Sequence, residues 1–446
     1  MLSPAELQAP CVRLDIDVAD GISGVAGGSG RFPSRCAWIL VRIFTEPVGI
    51  VLLRVAPSGL SSKLVAEAIS ESLGVVIAAR AGECGAQWPG PTPGASLATS
   101  SEPPFIASRR DVLSKAPEIT VVVCTRERPA GLEACLKSLL SQEYPNFSIL
   151  VVDNDPQSDA SASVVAKLSS ESVAIHYIVE PRRGLAWARN RALQSVSSGI
   201  AAWVDDDEVA DPFWLAELAR GFVDHPEAAA VSGIMLPAEL ETRSQIWFEQ
   251  YGGHHKHRGF EAITFSPATA DQQSPLYPLP PFGTGGNMAL RVDAIREIGG
   301  FVTALGAGTW TLGGEDTRAI SELLLKGGTV VYQPTAVTHH FDRRQRRDLR
   351  RQMFGYGVGL TAFYSDVIVS RPSSLPSLLR LIPRFLRESH GPESLRSGDL
   401  PSDFPTDLRW SNRLGLLAGP WRYLLARVIA RRRERQTVGA EGTLRR

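Results

Sequence analysis

Between residues 117 and 207, apolar runs alternate with amphipathic stretches. Ile119 to Val123, inside EITVVVCTRERP, is a continuous apolar run, the pattern of a parallel strand covered on both faces. AGLEACLKSLLSQ follows with Leu132, Cys135, Leu136, Leu139 and Leu140 at helical spacing. FSILVVDND predicts a second buried strand, SASVVAKLSS a short helix, AIHYIVE a third strand, LAWARNRALQSV a helix and IAAWVDDD a fourth strand. That order predicts a parallel, doubly wound sheet. Ligands of such sheets bind beyond the carboxyl ends of the strands. Two acid-rich segments fall at such ends: Asp153-Asn154-Asp155, and Asp205-Asp206-Asp207-Glu208.

The flanks read differently. Residues 37–44 and 48–56 predict two strands around TEPVG, and SSKLVAEAISESLG predicts a helix stopped at Gly74. Residues 1–81 are expected to form a small N-terminal α+β module. Residues 82–115, rich in Pro, Gly and Ser, read as a linker, and 116–345 as the sheet domain. Residues 346–446 read as a helical region interrupted by prolines, ending in the basic amphipathic helix WRYLLARVIARRRER. Trp421, Leu424, Leu425, Val428 and Ile429 share one side of it, and RRQRRDLRR at 343–351 adds a second basic run. Such a helix lies in an anionic membrane surface, or packs its apolar side on the neighbouring domain and leaves the arginines solvated. Both readings stand at this stage.

Length and composition narrow the class. A chain of 446 residues exceeds one ordinary core and implies two or three domains. A formal net charge of zero gives no global electrostatic case for nucleic-acid binding. Five cysteines, with no CxxC pair, argue against a disulfide framework or a zinc site and fit a reducing cytosol. MLSPAELQAP lacks the pattern of a secretory leader, and no apolar segment reaches the roughly 20 residues of a membrane span.

The acid clusters raise the chemical question. On a strand, Asp205 and Asp207 share a face and Asp206 points away. Two convergent carboxylates suit Mg²⁺ or Mn²⁺. The competing reading is a solvated turn or the acidic start of a helix in DEVADPFW, to which Glu208 would belong. The position after a buried strand favours a ligand site. Asp153 falls where a base or ribose would lie, or forms a turn with Asn154. RRGLAWARN offers Arg182, Arg183 and Arg189 to a diphosphate, against a solvated helix face. Gly283 to Gly286 allow close backbone approach to a ligand. Glu315-Asp316, before an amphipathic helix, is a cap or supplies a catalytic base. His339 and His340, after TVVYQP, are metal-ligand candidates against packed or surface roles.

Taken in order, VVVCTRERPAGLEACLKSLLSQ, ILVVDND, GLAWARN, WVDDDEVADP, GTGGNMALR and GGEDTRAISELLLKGG resemble a family 2 glycosyltransferase of GT-A fold, over about residues 117 to 341. The resemblance implies an α/β fold of the nucleotide-diphospho-sugar transferase type. The implied reaction moves a sugar from a nucleotide sugar to an acceptor hydroxyl with inversion. Cys124, Thr125 and Glu127 would line the nucleotide pocket, and Asp153 would contact the base. Many relatives have Asn or Asp where Glu127 stands. Asp207 resembles the family's metal ligand, with Asp205 and His340 as further candidates. Asp205 and Asp206 would hold metal-bound water, ribose or sugar, and Arg189 the donor phosphates. Gly285, Gly286 and Asn287, with Glu315 beside them, resemble the donor and acceptor loop, and Asp316 the general base.

The expected cofactor is Mn²⁺ or Mg²⁺. The expected donor is a UDP-sugar, with GDP and dTDP open, and the acceptor is a saccharide or lipid-linked. No nucleic-acid partner is expected. The expected setting is the cytoplasm, with peripheral contact at the inner face of the cell membrane through the basic tail. Two alternatives compete. A sugar-phosphate nucleotidyltransferase would want a glycine-rich triphosphate loop after the first strand, where CTRERPAG has one glycine. A silent saccharide-binding or scaffold protein would not need Asp207 and Asp316.

Overall fold

A computed structural model describes residues 1–22, 34–57, 59–90, 92, 94, 96–169, 173–197, 199–255, 258–266, 276, 282–390 and 400–444. At the N-terminus, β1 (Cys11–Asp17), β2 (Cys36–Ile43) and β3 (Glu46–Arg54) form a three-stranded sheet, followed by α1 (Ser62–Gly82). β1 is parallel to β2, and β3 antiparallel to it. β2 is buried throughout because both of its faces are covered. Ala37, Ile39 and Val41 pack with Val65, Ala66 and Ile69 of α1. Trp38 and Leu40 turn the other way and join Leu236, Leu240 and Ile246 in the main core.

Trp38 Nε1 donates to Glu249 Oε1 at 3.0 Å, and Arg42 bridges Asp15 at 2.8 Å and Asp211 at 2.7 Å. The N-terminal sheet is thus fused to the larger body by shared apolar and ionic contacts. Two sequence expectations change here. α1 runs through Gly74, whose missing side chain faces open space, because Ile77 and Ala81 beyond it are still buried. The segment read as linker contains α2 (Pro104–Lys115), whose Arg109 reaches buried Glu217 at 2.8 Å and lies 3.8 Å over the Phe213 ring.

The central body runs β4 (Ile119–Thr125), α3 (Pro129–Leu140), β5 (Phe147–Asn154), α4 (Ala160–Leu168), β6 (Ile175–Glu180), α5 (Leu185–Ser195) and β7 (Ile200–Asp205). It continues with β8 (Glu208–Ala210), α6 (Trp214–Asp224), β9 (Ala228–Pro237), α7 (Arg243–Gln250), β10 (Ile263–Phe265), β11 (Asn287–Arg291), α8 (Val292–Glu297), α9 (Glu315–Leu325) and β12 (Thr329–His340). The nine-stranded sheet is ordered β10-β12-β9-β11-β7-β4-β5-β6, with β8 on β12. β4, β5, β6 and β7 are parallel, and β11 is antiparallel to both neighbours. The carboxyl ends of β4, β5 and β7 therefore open on one side. Helix-covered faces explain the unbroken apolar runs: Val121 and Val123 lie with Leu132 and Leu136 of α3, and Val122 with Ala188 and Ala192 of α5.

Three C-terminal helices follow: α10 (Arg346–Ser370), α11 (Leu375–His390) and α12 (Thr406–Leu444). α10 and α12 run side by side in the same direction, with Ser411 Oγ on Arg350 O, Asn412 Nδ2 on Met353 O and Tyr423 Oη on Asp366 Oδ1. Glycines permit the approach. A Cβ on Gly415 would collide with Phe354 O, and one on Gly419 with Thr361 Oγ1. Pro420, inside α12, cannot donate to the carbonyl of Leu416. Thr361 Oγ1 satisfies that carbonyl instead at 2.9 Å, so the helix continues. Tyr423, Ala426 and Ala430 bury against Ala304, Leu305 and Ala362. The tail is therefore a wall of the body, and α10 presses on the loop before α9, with Gly359 against Gly313 and Gly314.

Candidate active site

A cleft of about 660 Å³ lies over the carboxyl ends of the strands, between the loop at 283–286, the start of α9 and α10. β7 ends at Asp205, so strand alternation ends there and Asp206 and Asp207 occupy a turn. All three aspartates line the cleft, a correction to the expectation that Asp206 points away. Asp206 accepts from Thr125 Oγ1 at 2.8 Å and from Arg128 Nη1 at 2.9 Å. Arg128 Nη1 also reaches Asp207 Oδ2 at 2.7 Å. Burial pushes the Asp206 carboxyl up to about 6, with Arg128 pulling against it. Asp205 is likewise raised by burial, opposed by Arg189 at 3.9 Å.

Asp207 behaves in the opposite way. Burial alone would raise it, but His340, Arg128 and Arg343 hold its carboxyl well below the usual range. Its Oδ1 lies 3.4 Å from His340 Nε2, and its Oδ2 3.3 Å from Arg343. His340 Nδ1 bonds Asp342 Oδ1 at 2.8 Å, and His254 Nε2 lies 3.3 Å from the same oxygen. Burial would favour neutral His340, yet the two flanking carboxylates raise it well above an ordinary histidine. His254, His340 and Asp342 offer ligand atoms within 4.8 Å of one another among the described residues. With Asp207 beside them, this imidazole and carboxylate set fits a divalent cation. Asp342 fixes the His340 ring so that Nε2 faces Asp207.

Glu208 begins no helix. It opens β8, pairs with His340 across β12, and is buried beneath Gly286. His339 points to the other face, where Arg13 Nη2 lies 2.9 Å from its Nδ1.

The opposite wall is built around Arg189, which is 2% exposed. Its Nη1 donates to Glu315 Oε1 at 3.1 Å and its Nη2 to Gly285 O at 2.9 Å. Through these contacts Arg189 organises the loop, while it also lines the cleft and its buried Nε has no protein partner. Burial pushes Glu315 up to about 7, helped by Asp316 and opposed by Arg189. Asp316 Oδ2 accepts from Gly285 N at 2.9 Å and its Oδ1 from Thr317 N at 2.7 Å. A Cβ on Gly285 would stand 2.7 Å from Asp316, and one on Gly286 2.9 Å from Asp205 Oδ2. The two glycines let acids from two distant segments face one cleft.

Several expected contacts fall elsewhere. Asp153 is fully buried on the β5 face shared with Ile149 and Val151, where Tyr177 Oη donates to it at 2.8 Å. Asn154, one residue on, faces the cleft instead. Glu127 is exposed and accepts from Gln157 N at 2.8 Å, linking two loops outside the cleft. Asn287 is buried, holding Ile234 O, Ala336 O and Trp214 Nε1 at 2.9 Å each. Its side chain braces three segments and does not line the cleft, while its backbone N–H closes the loop onto Thr284 O at 3.2 Å. Cys124 lines the cleft with its thiol pushed up to about 12 by burial. Arg182 folds onto Glu180 at 2.7 Å and stacks on Trp187, while Arg183 lines the cleft. Arg128, Arg343, His254 and Asp342 were not singled out for the site from sequence. Arg128 sits in the loop after β4, and His254 on no periodic element, so only their long-range partners mark them.

The profile described as Glycosyl transferase family 2 matches residues 120–299, from β4 through α8. Residues 120–299 are a family 2 glycosyltransferase domain. The fold is α/β, with a helical C-terminal region. The glucosyl-dolichyl phosphate glucuronosyltransferase of Haloferax volcanii is 25% identical over 193 residues, 42% of this chain and 57% of that protein. The pre-mycofactocin glycosyltransferase of Mycobacterium tuberculosis is 27% identical over 262 residues, 57% of this chain and 48% of that protein. The chain thus spans about half the length of the curated relatives it matches. A mannosyltransferase from Pyrobaculum calidifontis, in complex with GDP-Man and Mn²⁺, superposes with a TM-score of 0.41 at 17% identity, covering 76% of this chain and 89% of its own. At that score the two folds agree only loosely.

Proposed function

We propose that this protein is an inverting glycosyltransferase that moves a sugar from a nucleoside-diphosphate sugar to an acceptor hydroxyl. One observation carries the reading: Asp205 and Asp207 on one wall and Asp316 on the other line a single cleft, parted by Gly285 and Gly286. In this reading the acceptor hydroxyl gives its proton to Asp316 as its oxygen attacks the anomeric carbon. The bond from that carbon to the diphosphate breaks on the opposite face, and the leaving electron pair stays on phosphate oxygen. Arg128, Arg183 and Arg343 line the cleft and offset that developing charge.

Asp207 and His340 would hold Mn²⁺ or Mg²⁺, with Asp205 beside them, and the cation, when bound, supplies Lewis-acid stabilisation of the diphosphate. Arg128, now on Asp206 and Asp207, would turn to the phosphates when the cation takes its place. The donor nucleotide is UDP in the simplest reading. A lipid-linked acceptor is supported by the name of the Haloferax relative.

Cytoplasmic action with peripheral contact on an anionic membrane face is supported by α12. Trp410, Leu414, Leu417, Trp421, Leu424 and Val428 recur at spacings of four and three, and all are exposed, Leu417 by 80% and Trp421 by 67%. Arg409, Arg413, Arg431 and Arg432 are exposed along the same helix. Among the described residues no helix is long and apolar enough to cross a membrane. The test is nucleoside diphosphate release and thermal shift across a panel of nucleotide sugars, with Mn²⁺, Mg²⁺ or chelator. Absence of both signals for every donor removes the transferase reading.

A further inference from the structure

A second cavity, of about 990 Å³, lies beside the catalytic cleft and shares Leu312, Arg343, Gln352, Gly355 and Tyr356 with it. Its character differs. Arg343, Arg350, Arg351 and Arg422 line it, against only two acids, Asp348 and Asp407. Both acids are engaged: Asp407 pairs with Arg346 at 2.6 Å, and Asp348 lies 3.5 Å from Arg351. Among the described residues, no carboxylate lies within ion-pair distance of Arg350 or Arg422. Arg422 is held at the wall by Trp310 O at 3.2 Å and by the Phe354 ring at 5.0 Å. The cavity therefore carries an excess of fixed positive charge.

Apart from Gln352 and Ser411, the rest of its lining is apolar or aromatic, with Trp410 and Leu414 at the outer rim. Trp410 is 58% exposed and Leu414 54%. They begin the apolar stripe of α12, so an arginine-rich pocket opens onto an apolar track on one side and onto the catalytic cleft on the other. An ordinary saccharide needs neither feature. A phosphate monoester or diester attached to a hydrocarbon chain matches both: guanidinium groups bind phosphate oxygens in a fork, and the chain lies along Trp410, Leu414 and Leu417.

We infer that this cavity is a subsite for the phosphate of an amphiphilic acceptor, a lipid phosphate whose hydrocarbon runs out along α12. The inference rests on the transferase reading of the adjoining cleft, and it names the acceptor class that cleft would serve. A second copy of the chain is a poorer occupant. Arg413 and Arg427 flank the stripe, so self-pairing would bring like charges together.

The test uses the full chain with chelator present and no nucleotide sugar, so that no turnover is read. Farnesyl phosphate is titrated calorimetrically below its micelle concentration, with farnesol and inorganic phosphate as companions. Saturable binding of farnesyl phosphate is expected, at least tenfold tighter than either companion. Arg350→Glu and Arg351→Gln, both on exposed side chains, should each weaken it severalfold with the thermal midpoint unchanged. Asp207→Ala should retain it.

Equal affinity for farnesol, no binding of farnesyl phosphate, or indifference to both arginine substitutions overturns the inference. So does loss of binding in Asp207→Ala, which would place the phosphate on the donor side. Sedimentation showing a dimer that excludes the probe would assign the face to a second copy and overturn it equally. The donor panel reports on the transferase reading and this titration on the cavity, so either can fail alone.

Discussion

The backbone N–H of Gly285 donates to Asp316 Oδ2 at 2.9 Å, although the two residues lie 31 positions apart. The same glycine accepts from Arg189 through its carbonyl. One residue thus ties the candidate base to the buried cation that organises the cleft. Asp316→Asn keeps an oxygen that can accept from Gly285, so the loop should survive. Transfer should fall by ~10²–10⁴-fold. Nucleotide-sugar affinity, measured by calorimetry, should stay within a few-fold of wild type. A normal rate would mean that the proton goes elsewhere.

Metal binding should be linked to a proton. Asp207 and Asp342 hold His340 toward its protonated form against the effect of burial, and the ring must be neutral at the ligating nitrogen to bind an ion. Mn²⁺ affinity is therefore expected to rise with pH, with about one proton released per ion. Calorimetry in buffers of different ionisation enthalpy reads that number. Asp207→Ala should lose the ion, and Asp342→Asn should weaken it by ~10–100-fold by freeing the His340 ring. Unchanged Mn²⁺ binding in Asp207→Ala would sink the assignment.

Arg189 offers a stability test. Arg189→Met removes the partner of buried Glu315 and the donor to Gly285 O, and should cost about 3–5 kcal/mol in denaturant unfolding. The Arg189→Met, Glu315→Gln double variant should recover part of that loss, because no buried charge is left unpaired. A double variant as unstable as the sum of the two singles would deny the pairing.

Glu315 also sets a pH dependence. Its carboxyl is raised by burial to about 7 from an ordinary 4.5, so in that window the folded chain holds a proton that the unfolded chain has lost. Stability is then highest below the unfolded value and falls as pH rises through the folded one. The span corresponds to roughly 3 kcal/mol at most. In metal-free protein the thermal midpoint should fall between these two values, and Glu315→Gln should flatten the slope. Asp206, raised to about 6, acts on stability in the same direction.

The helix pair and the membrane face can be separated. Gly419→Ala, which puts a methyl against Thr361, should destabilise by ~1–3 kcal/mol despite the better helix propensity of Ala. Leu417→Glu and Trp421→Glu, on the exposed stripe, should leave stability unchanged. Together they should reduce flotation with phosphatidylglycerol vesicles by about tenfold or more, and high salt should weaken wild-type binding. Equal flotation of the double variant would discard the stripe as a membrane contact.

The sequence by itself determined the order of parallel strands and helices, because buried strands and amphipathic helices write their periodicity into adjacent residues. It also marked Asp205, Asp207, Gly285, Gly286 and Asp316, which sit at strand ends, in a glycine-rich turn or at a helix start. Only the tertiary structure decided which neighbours of those residues face the cleft. Asp153 and Asn287 point into the core because the strand pleat carries them to the face beneath α3 and α6, and a reading by position cannot see that. Arg128, Arg343 and His254 reach the acids from loops and junctions 79, 136 and 88 positions from their partners, distances over which no local pattern persists. α12 shows the same division: the sequence made it basic and amphipathic, and packing against α10 decided that Tyr423 and Ala426 are buried while Trp421 and Leu417 remain outside.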